Sequence, residues 1–266
     1  MPYQTLKRST NFVDSVKLPK PAAKAGRRRG RSLTAPAAPV ELQEKTAQAV
    51  VAGSGLIFSE EGVSKQVKED LLTCTLFAQF AAQSKVSSAA KVVEWYKAYF
   101  EALRNLGWAM SSQEFREHVE SGKTVLVHKA IMGVLAAVLG PAATALVVIK
   151  SVLDGLEEVG SDNGWLTFFD RQSVRTTVAK FQVVTAQPTK DGQINIGLVG
   201  FELRAEKTIT QVLFFKSAKS KVHLRFAGGS ATIFEPVLAG VRNSLQQKLA
   251  AVTADFVDSI PIPGRN

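Results

Sequence analysis

Residues 130–149 read AIMGVLAAVLGPAATALVVI, a run of twenty residues without one charged side chain. A run of about 20 apolar residues has the length of a transmembrane helix. Gly140 and Pro141 interrupt this run near its centre, and such a pair is typical of a turn, after which proline fits the first turn of a new helix. We therefore predict a helical hairpin, with one helix over about 125–139 and a second over about 142–158. A resident transmembrane helix is the alternative interpretation.

The chain before this hairpin has helical periodicity from Val40 onward. The clearest helix is predicted over about 88–106, because apolar residues recur there at intervals of three and four and Gly107 follows at a position that often ends a helix. Other helices are predicted over 41–51, 64–83 and 111–120. These helices are expected to form a bundle around the apolar hairpin.

After Gly160 the pattern changes, and apolar and polar residues begin to alternate. A period of two predicts strands. We place them over about 173–186, 194–204, 208–217 and 222–226, with a short fifth strand over 231–234 and a last helix over 236–257. Short links, among them the hairpin signal Asp191-Gly192, predict an antiparallel meander.

The predicted fold class is therefore α+β. An N-terminal helical bundle with the central apolar hairpin packs on a C-terminal antiparallel meander sheet of four or five strands, and the final helix closes the sheet. The predicted units are a disordered basic arm and linker over 1–39, a helical half over 40–160, and the sheet with its helix over 161–266. The last two are expected to form one compact body.

Positive charge is concentrated in the predicted arm. Residues 1–40 hold nine Lys and Arg against one acid, whereas the rest of the chain has 24 bases and 22 acids. The arm has few large apolar side chains, so it cannot bury enough surface to offset the entropy of ordering. Guanidinium groups pair with phosphate through two hydrogen bonds, which suits a polyanion-binding role. The residues assigned to that role are Arg27, Arg28, Arg29, Arg31, Lys20 and Lys24.

The expected partners of the arm are an anionic membrane surface or a delivery or packaging machinery. Nucleic acid is the alternative partner of residues 1–38. No apolar signal-peptide core follows Met1, so cytoplasmic synthesis with non-classical export is the expectation. The sequence leaves both the localisation and the oligomeric state open.

No catalytic signature stands out in the sequence. Cys74, the single cysteine, lies in an apolar run, which predicts a buried and inert thiol. Residues 121–124 match only the end of a phosphate-binding loop, because Glu117 stands where that loop needs a glycine. The three histidines lack the spacing of a metal site; they are His118, His128 and His223. The chain is therefore expected to be non-enzymatic, with no cofactor and no metal.

Two functional hypotheses follow. In the first, the chain is a toxin- or effector-like protein whose arm engages an anionic surface or delivery machinery, while the hairpin interacts with a membrane. The residues predicted to make that interaction are Ile131, Leu135, Leu139, Leu146 and Ile149. In the second, the chain is a structural or packaging protein that self-assembles through its body and binds nucleic acid or acidic partners through its arm.

Overall fold

At the centre of the computed structural model, a mixed β-sheet lies between two layers of helices. The structure describes residues 2–18, 40–88, 90–118, 124–140, 144–159, 164–218, 222–250, 252–253 and 256–260. The helices are α1 (Pro2–Ser15), α2 (Lys65–Lys85), α3 (Val92–Asn105), α4 (Val127–Leu139), α5 (Thr144–Val159), α6 (Gly164–Ser173) and α7 (Glu235–Leu249). The strands are β1 (Gln48–Ala52), β2 (Gly55–Ser59), β3 (Trp108–Met110), β4 (Arg116–His118), β5 (Thr124–Leu126), β6 (Val174–Arg175), β7 (Val178–Pro188), β8 (Ile194–Ala205), β9 (Lys216–Ala218), β10 (Val222–Ile233) and β11 (Val257–Ile260).

Within the described ranges, nine strands form the main sheet in the order β11-β1-β2-β7-β8-β10-β3. In addition, β4 pairs with β10 and β6 pairs with β7. The pairing of β2 with β7 is parallel, whereas the other pairings in the sheet are antiparallel. Strands β5 and β9 form a separate antiparallel pair. The sheet is thus mixed, with its longest strands, β7, β8 and β10, side by side.

Alternation along the strands divides the core into two apolar clusters, one on each face of the sheet. On one face, Val184 and Leu198 pack with α1, α2, α3 and α7. On the other face, Val183, Phe181 and Phe201 pack with α4, α5 and α6. Because side chains alternate between faces along a strand, neighbouring residues of β7 and β8 contribute to different clusters. Both faces of the sheet are therefore covered.

The α+β class predicted from the sequence is confirmed, but the prediction of a four- or five-strand antiparallel meander is wrong. Strands β1 to β4 precede residue 160, so the predicted helical half supplies part of the sheet. The helix predicted over 41–51 is wrong because residues 48–52 form β1, which Gly53 (φ 59°) turns back into β2. Both faces of these two strands are buried, so their sequence is almost uniformly apolar and lacks the alternation that marks a strand.

Three further predictions differ from the structure. The helix predicted over 111–120 is wrong, since residues 116–118 are β4. Most of the strand predicted over 208–217 is irregular, because the Val212 amide donates to Asp170 Oδ1 (2.9 Å) and the Ile209 amide donates to Thr176 O (2.8 Å) instead of to a neighbouring strand. The last helix ends at Leu249, and β11 follows it at the edge of the sheet.

The first residues of the predicted arm form α1 rather than a disordered segment. Val13 and Val16 are buried in the cluster that includes α7, and Lys248 Nζ donates to Val13 O (2.7 Å) and Asp14 O (2.8 Å). These contacts come from a helix more than 200 residues away in sequence, so local composition could not reveal them. Residues 19–39 lie outside the described residues.

Candidate functional site

The apolar stretch forms two helices on one face of the sheet. α4 ends at Leu139, Gly140 follows with φ 89°, and α5 begins at Thr144. A positive φ is easily adopted by glycine, which explains why the first helix stops there. Residues 141–143, with Pro141, lie outside the described residues. Among the helices that the structure describes, none is both long enough and apolar enough to span a bilayer.

The residues predicted to interact with a membrane face the sheet instead of solvent. Ile131, Leu135, Leu146 and Ile149 are buried, and Leu139 is half-buried against the same cluster. The sheet supplies Leu56, Phe58, Val183, Val199 and Phe201 to this cluster. The structure therefore brings the five residues together, but in the core, and any contact with lipid requires that α4 and α5 leave the sheet.

Leu139 illustrates how closely α4 approaches the sheet. A Cβ atom at Gly197 of β8 would collide with Leu139 Cδ2 and would lie 3.5 Å from Leu139 Cγ and 2.7 Å from Thr185 Oγ1. A larger residue at this position requires Leu139 or Thr185 to move. Gly197 therefore allows the C-terminal end of α4 to lie close to the sheet.

The outer face of this helix pair mixes apolar and charged residues. Lys129 and Ala137 are exposed on α4, and Val147 is 66% exposed on α5. Lys150 and Asp154 are exposed in the middle of α5, where Lys150 Nζ donates to Asp154 Oδ2 (2.5 Å). The solvent-facing side of a surface helix normally carries charged and polar residues. α4 and α5 are thus apolar toward the sheet, and α5 also presents one large apolar side chain, Val147, to solvent.

The opposite layer is joined to the sheet by buried hydrogen bonds. Tyr96 Oη of α3 lies 2.6 Å from Phe181 O and 2.9 Å from Phe201 O, and it accepts from Gln182 Nε2 (3.2 Å). Burial raises the pKa of Tyr96, so this hydroxyl stays protonated. The ring lies over Gly200, where a Cβ would be only 3.0 Å from Tyr96 Cζ. These bonds hold α3 to the backbone of β7 and β8.

Two more polar contacts hold the same layer together. Gln79 Nε2 of α2 donates to Ala52 O (2.8 Å), and Gln79 Oε1 accepts from the Ser54 amide (3.0 Å). Arg242 of α7 binds both carboxylate oxygens of Asp70 on α2, each at 2.8 Å. Bidentate pairs of this kind are strong and directional. The layer of α2, α3 and α7 is thus held by polar side chains. α4 and α5 contact the sheet through the apolar cluster, and the Val127 amide at the start of α4 donates to Phe215 O (3.3 Å).

The candidate chemical residues do not form a catalytic site. Cys74 is buried, and burial raises the pKa of its thiol to about 12, which agrees with the predicted inert role. His128 packs against Phe214 (centroids 5.7 Å apart), while His223 Nδ1 lies 2.8 Å from Glu117 Oε1 on the exposed edge of the sheet. Within the described ranges, no group of three or more His, Cys, Asp or Glu could hold a metal ion.

The six residues assigned to polyanion binding all lie between 19 and 39, outside the described residues, so that assignment stays a prediction. Sequence reasoning missed a different basic site, a cavity near the start of β7 whose wall includes Arg175 and Lys180. The only signal for it was Lys180, a charged residue in a strand that is otherwise largely apolar.

Comparisons with known proteins find the following. No family model matches the chain, and no curated protein matches its sequence. In structure, the chain is similar to a delta-endotoxin (TM-score 0.42, 10% identity, 80% of this chain and 90% of the other). It is also similar to the activated Cyt2Ba monomer from Bacillus thuringiensis subsp. israelensis, with a TM-score of 0.32 and 13% identity over 52% of this chain and 80% of the other. The third similar structure is the Evf virulence factor, with a TM-score of 0.34 and 13% identity over 77% of this chain and 85% of the other. Likenesses of this size do not transfer an activity.

Proposed function

We propose that this chain is a non-enzymatic, toxin- or effector-like protein in which α4 and α5 leave the sheet and interact with a membrane. The observation that supports this proposal is the difference between the two helical layers. One layer is bonded to strand backbone through Tyr96 and Gln79, whereas α4 and α5 are apolar on the sheet side and expose Val147 on the other. A layer of this composition is the one that gains most from lipid.

For the two helices themselves, the free energies of the two environments are of similar size. Burying one large aliphatic side chain contributes about 1.5–3 kcal/mol, whether the partner is the sheet or hydrocarbon. Moving α4 and α5 from the sheet to lipid therefore exchanges one apolar environment for another for the helices, but it uncovers sheet residues such as Phe181 and Phe201, whose exposure the membrane interaction has to offset. A basic arm near an anionic bilayer adds roughly 1 kcal/mol per basic residue close to the surface, which favours the lipid side of this exchange.

Helix length sets the depth of the proposed insertion. α4 has 13 residues and α5 has 16. At about 1.5 Å per residue, both helices are shorter than the hydrocarbon core of about 30 Å. We expect them to lie along the interface with Ile131, Leu135 and Ile149 toward the acyl chains, as amphipathic helices do. Their apolar sides would replace the sheet contacts that they lose.

The test uses the full chain with liposomes, and both co-sedimentation and dye release are recorded. We expect binding and release with anionic liposomes. Val147→Lys should reduce release at least fivefold, which corresponds to about 1 kcal/mol, because Val147 is exposed in the folded chain and would make the first contact with the bilayer before the sheet-facing sides of α4 and α5 reach it. The matched control is Phe234→Lys, because Phe234 is also exposed (58%) but lies at the start of α7, away from α4 and α5. It should release dye as the unmodified chain does.

Two outcomes would contradict the proposal: no release by the unmodified chain, or equal losses in the two variants. Binding without release would favour the structural or packaging alternative, in which the arm holds the polyanion and α4–α5 remain in the core.

A further inference from the structure

A cavity of about 360 Å³ lies in the layer opposite α4 and α5. It is bounded by the segment that follows α1, by α2 and α3, by the turn between β1 and β2, and by the start of β7. Three cationic residues, Lys17, Arg175 and Lys180, contribute to its wall. None of the described residues that line it is Asp or Glu.

Lys180 is the best-defined of these cations. Its Nζ lies 4.3 Å from the centroid of the Trp95 ring and donates to Gln83 Oε1 (3.1 Å). Its antiparallel partner on β8 is Glu202, whose carboxylate is bound by Arg204 (2.5 Å) and Arg225 (3.1 Å). Glu202 is thus engaged elsewhere, and Lys180 has an amide and an aromatic ring beside it.

Lys180 shows the electrostatic effect of this concentration of positive charge. Burial and, to a smaller extent, the nearby Arg175 together lower the pKa of Lys180 to about 8. Clustered cations repel one another when no anion lies between them. A bound anion would relieve both effects, since it would replace lost hydration and add an attractive charge.

The rest of the wall suits an apolar group. Phe80 and Phe256 meet edge to face with centroids 4.9 Å apart, and Leu18 lies at the same cavity. Trp95 lines it too, and its ring lies beside Lys180 Nζ. One side of the cavity is therefore cationic, and another is aromatic.

We propose that this cavity binds a phosphate monoester that carries a short apolar group. A dianionic phosphate matches three cations better than a singly charged carboxylate, and its oxygens accept several hydrogen bonds at once. Gln83 and Gln172 line the cavity, and their side-chain amides can donate to the phosphate. The apolar group would contact the Phe80 and Phe256 rings. This site is independent of α4 and α5, so its failure leaves the proposed function unaffected.

Isothermal titration of the full chain tests the proposal with four probes: short-chain (dihexanoyl) phosphatidic acid, glycerol 3-phosphate, inorganic phosphate and hexanoate. We expect the two organic phosphates to bind, and Lys180→Gln to weaken them at least tenfold. Arg175→Gln, which changes an exposed residue, should weaken them as well. The matched control is Lys190→Gln, because Lys190 is exposed in the turn after β7.

The probes also separate the phosphate from the apolar group. Tighter binding of the phosphatidic acid than of glycerol 3-phosphate, which has no apolar group, supports the apolar contact with Phe80 and Phe256, and equal binding of the two contradicts it. The proposal is overturned if no phosphate probe binds, if hexanoate binds as tightly as the organic phosphates, or if Lys190→Gln weakens binding as much as Lys180→Gln. Circular dichroism of each variant confirms that it is folded.

Discussion

At the scale of single residues, the contact between Asp170 and Val212 shows how a side chain can take the place of a neighbouring strand as a hydrogen-bond acceptor. Asp170 on α6 is buried, and its Oδ1 accepts the Val212 amide. Burial raises the pKa of Asp170 to about 6, although the bond from Val212 acts in the opposite direction. The folded chain therefore binds this proton more tightly than the unfolded chain does.

The shifted pKa of Asp170 determines whether the free energy of unfolding rises or falls with pH, because proton binding is linked to folding. The stability that Asp170 contributes is fully present below its unfolded pKa of about 4 and is lost as the pH rises through its folded pKa of about 6. We predict that Asp170→Asn, which keeps an oxygen to accept the Val212 amide, removes this loss. The variant should exceed the unmodified chain in free energy of unfolding by about 1–3 kcal/mol at pH 7. Urea unfolding of both proteins at pH 4, 5, 6 and 7 measures this difference. If the free energy of unfolding changes with pH between 4 and 6 equally in the variant and in the unmodified chain, Asp170 is not the group responsible.

At the scale of elements, part of the fold could be predicted from local patterns and part could not. Absence of charge over 130–149 located α4 and α5, because a helical hairpin with an apolar side needs no other signal. Alternation located β7 and β8, which are long enough to show a period of two. β1 and β2 are short and buried on both faces, so their apolar sequences fit a helix equally well.

The reason for two glycines of β8 also cannot be predicted from local sequence patterns. Gly197 lies under Leu139 of α4, and Gly200 lies under Tyr96 of α3, on the other face of the sheet. Each is a glycine because a helix side chain occupies the space of a Cβ atom. That partner comes from a distant part of the chain, so the sequence shows the glycine but not its reason.

These two glycines provide a matched pair of variants. Gly197→Ala and Gly200→Ala each introduce a clash, which costs about 1–3 kcal/mol of unfolding free energy. We predict that only Gly197→Ala displaces α4, and that it therefore releases liposome dye several times faster than Gly200→Ala. Urea unfolding confirms that the two variants are comparably destabilised. Equal rates of release at equal stability would show that α4 is not the element that moves.

At the scale of the whole molecule, the two layers of helices have different roles in this account. In one layer, α2 and α3 are hydrogen-bonded to the sheet and line the basic cavity. The layer of α4 and α5 is apolar on its sheet side and exposes Val147 to solvent. Composition could reveal the apolar stretch and the basic start of the chain. It could not reveal the cavity, because Lys17 is far in sequence from Arg175 and Lys180 and only the fold brings the three together.

The release of α4 from the sheet is the central claim, and a reversible cross-link tests it most directly. Because Leu139 Cγ lies 3.5 Å from the position of a Cβ at residue 197, the double variant Leu139→Cys with Gly197→Cys is within reach of a disulfide. Cys74 can remain, since it is buried and its pKa is raised. Dye release from anionic liposomes is compared for the oxidised and the reduced double variant, with each single variant as a control. We predict that oxidation abolishes release and that reduction restores it. Equal release before and after reduction, with the disulfide confirmed by mass, would contradict the claim.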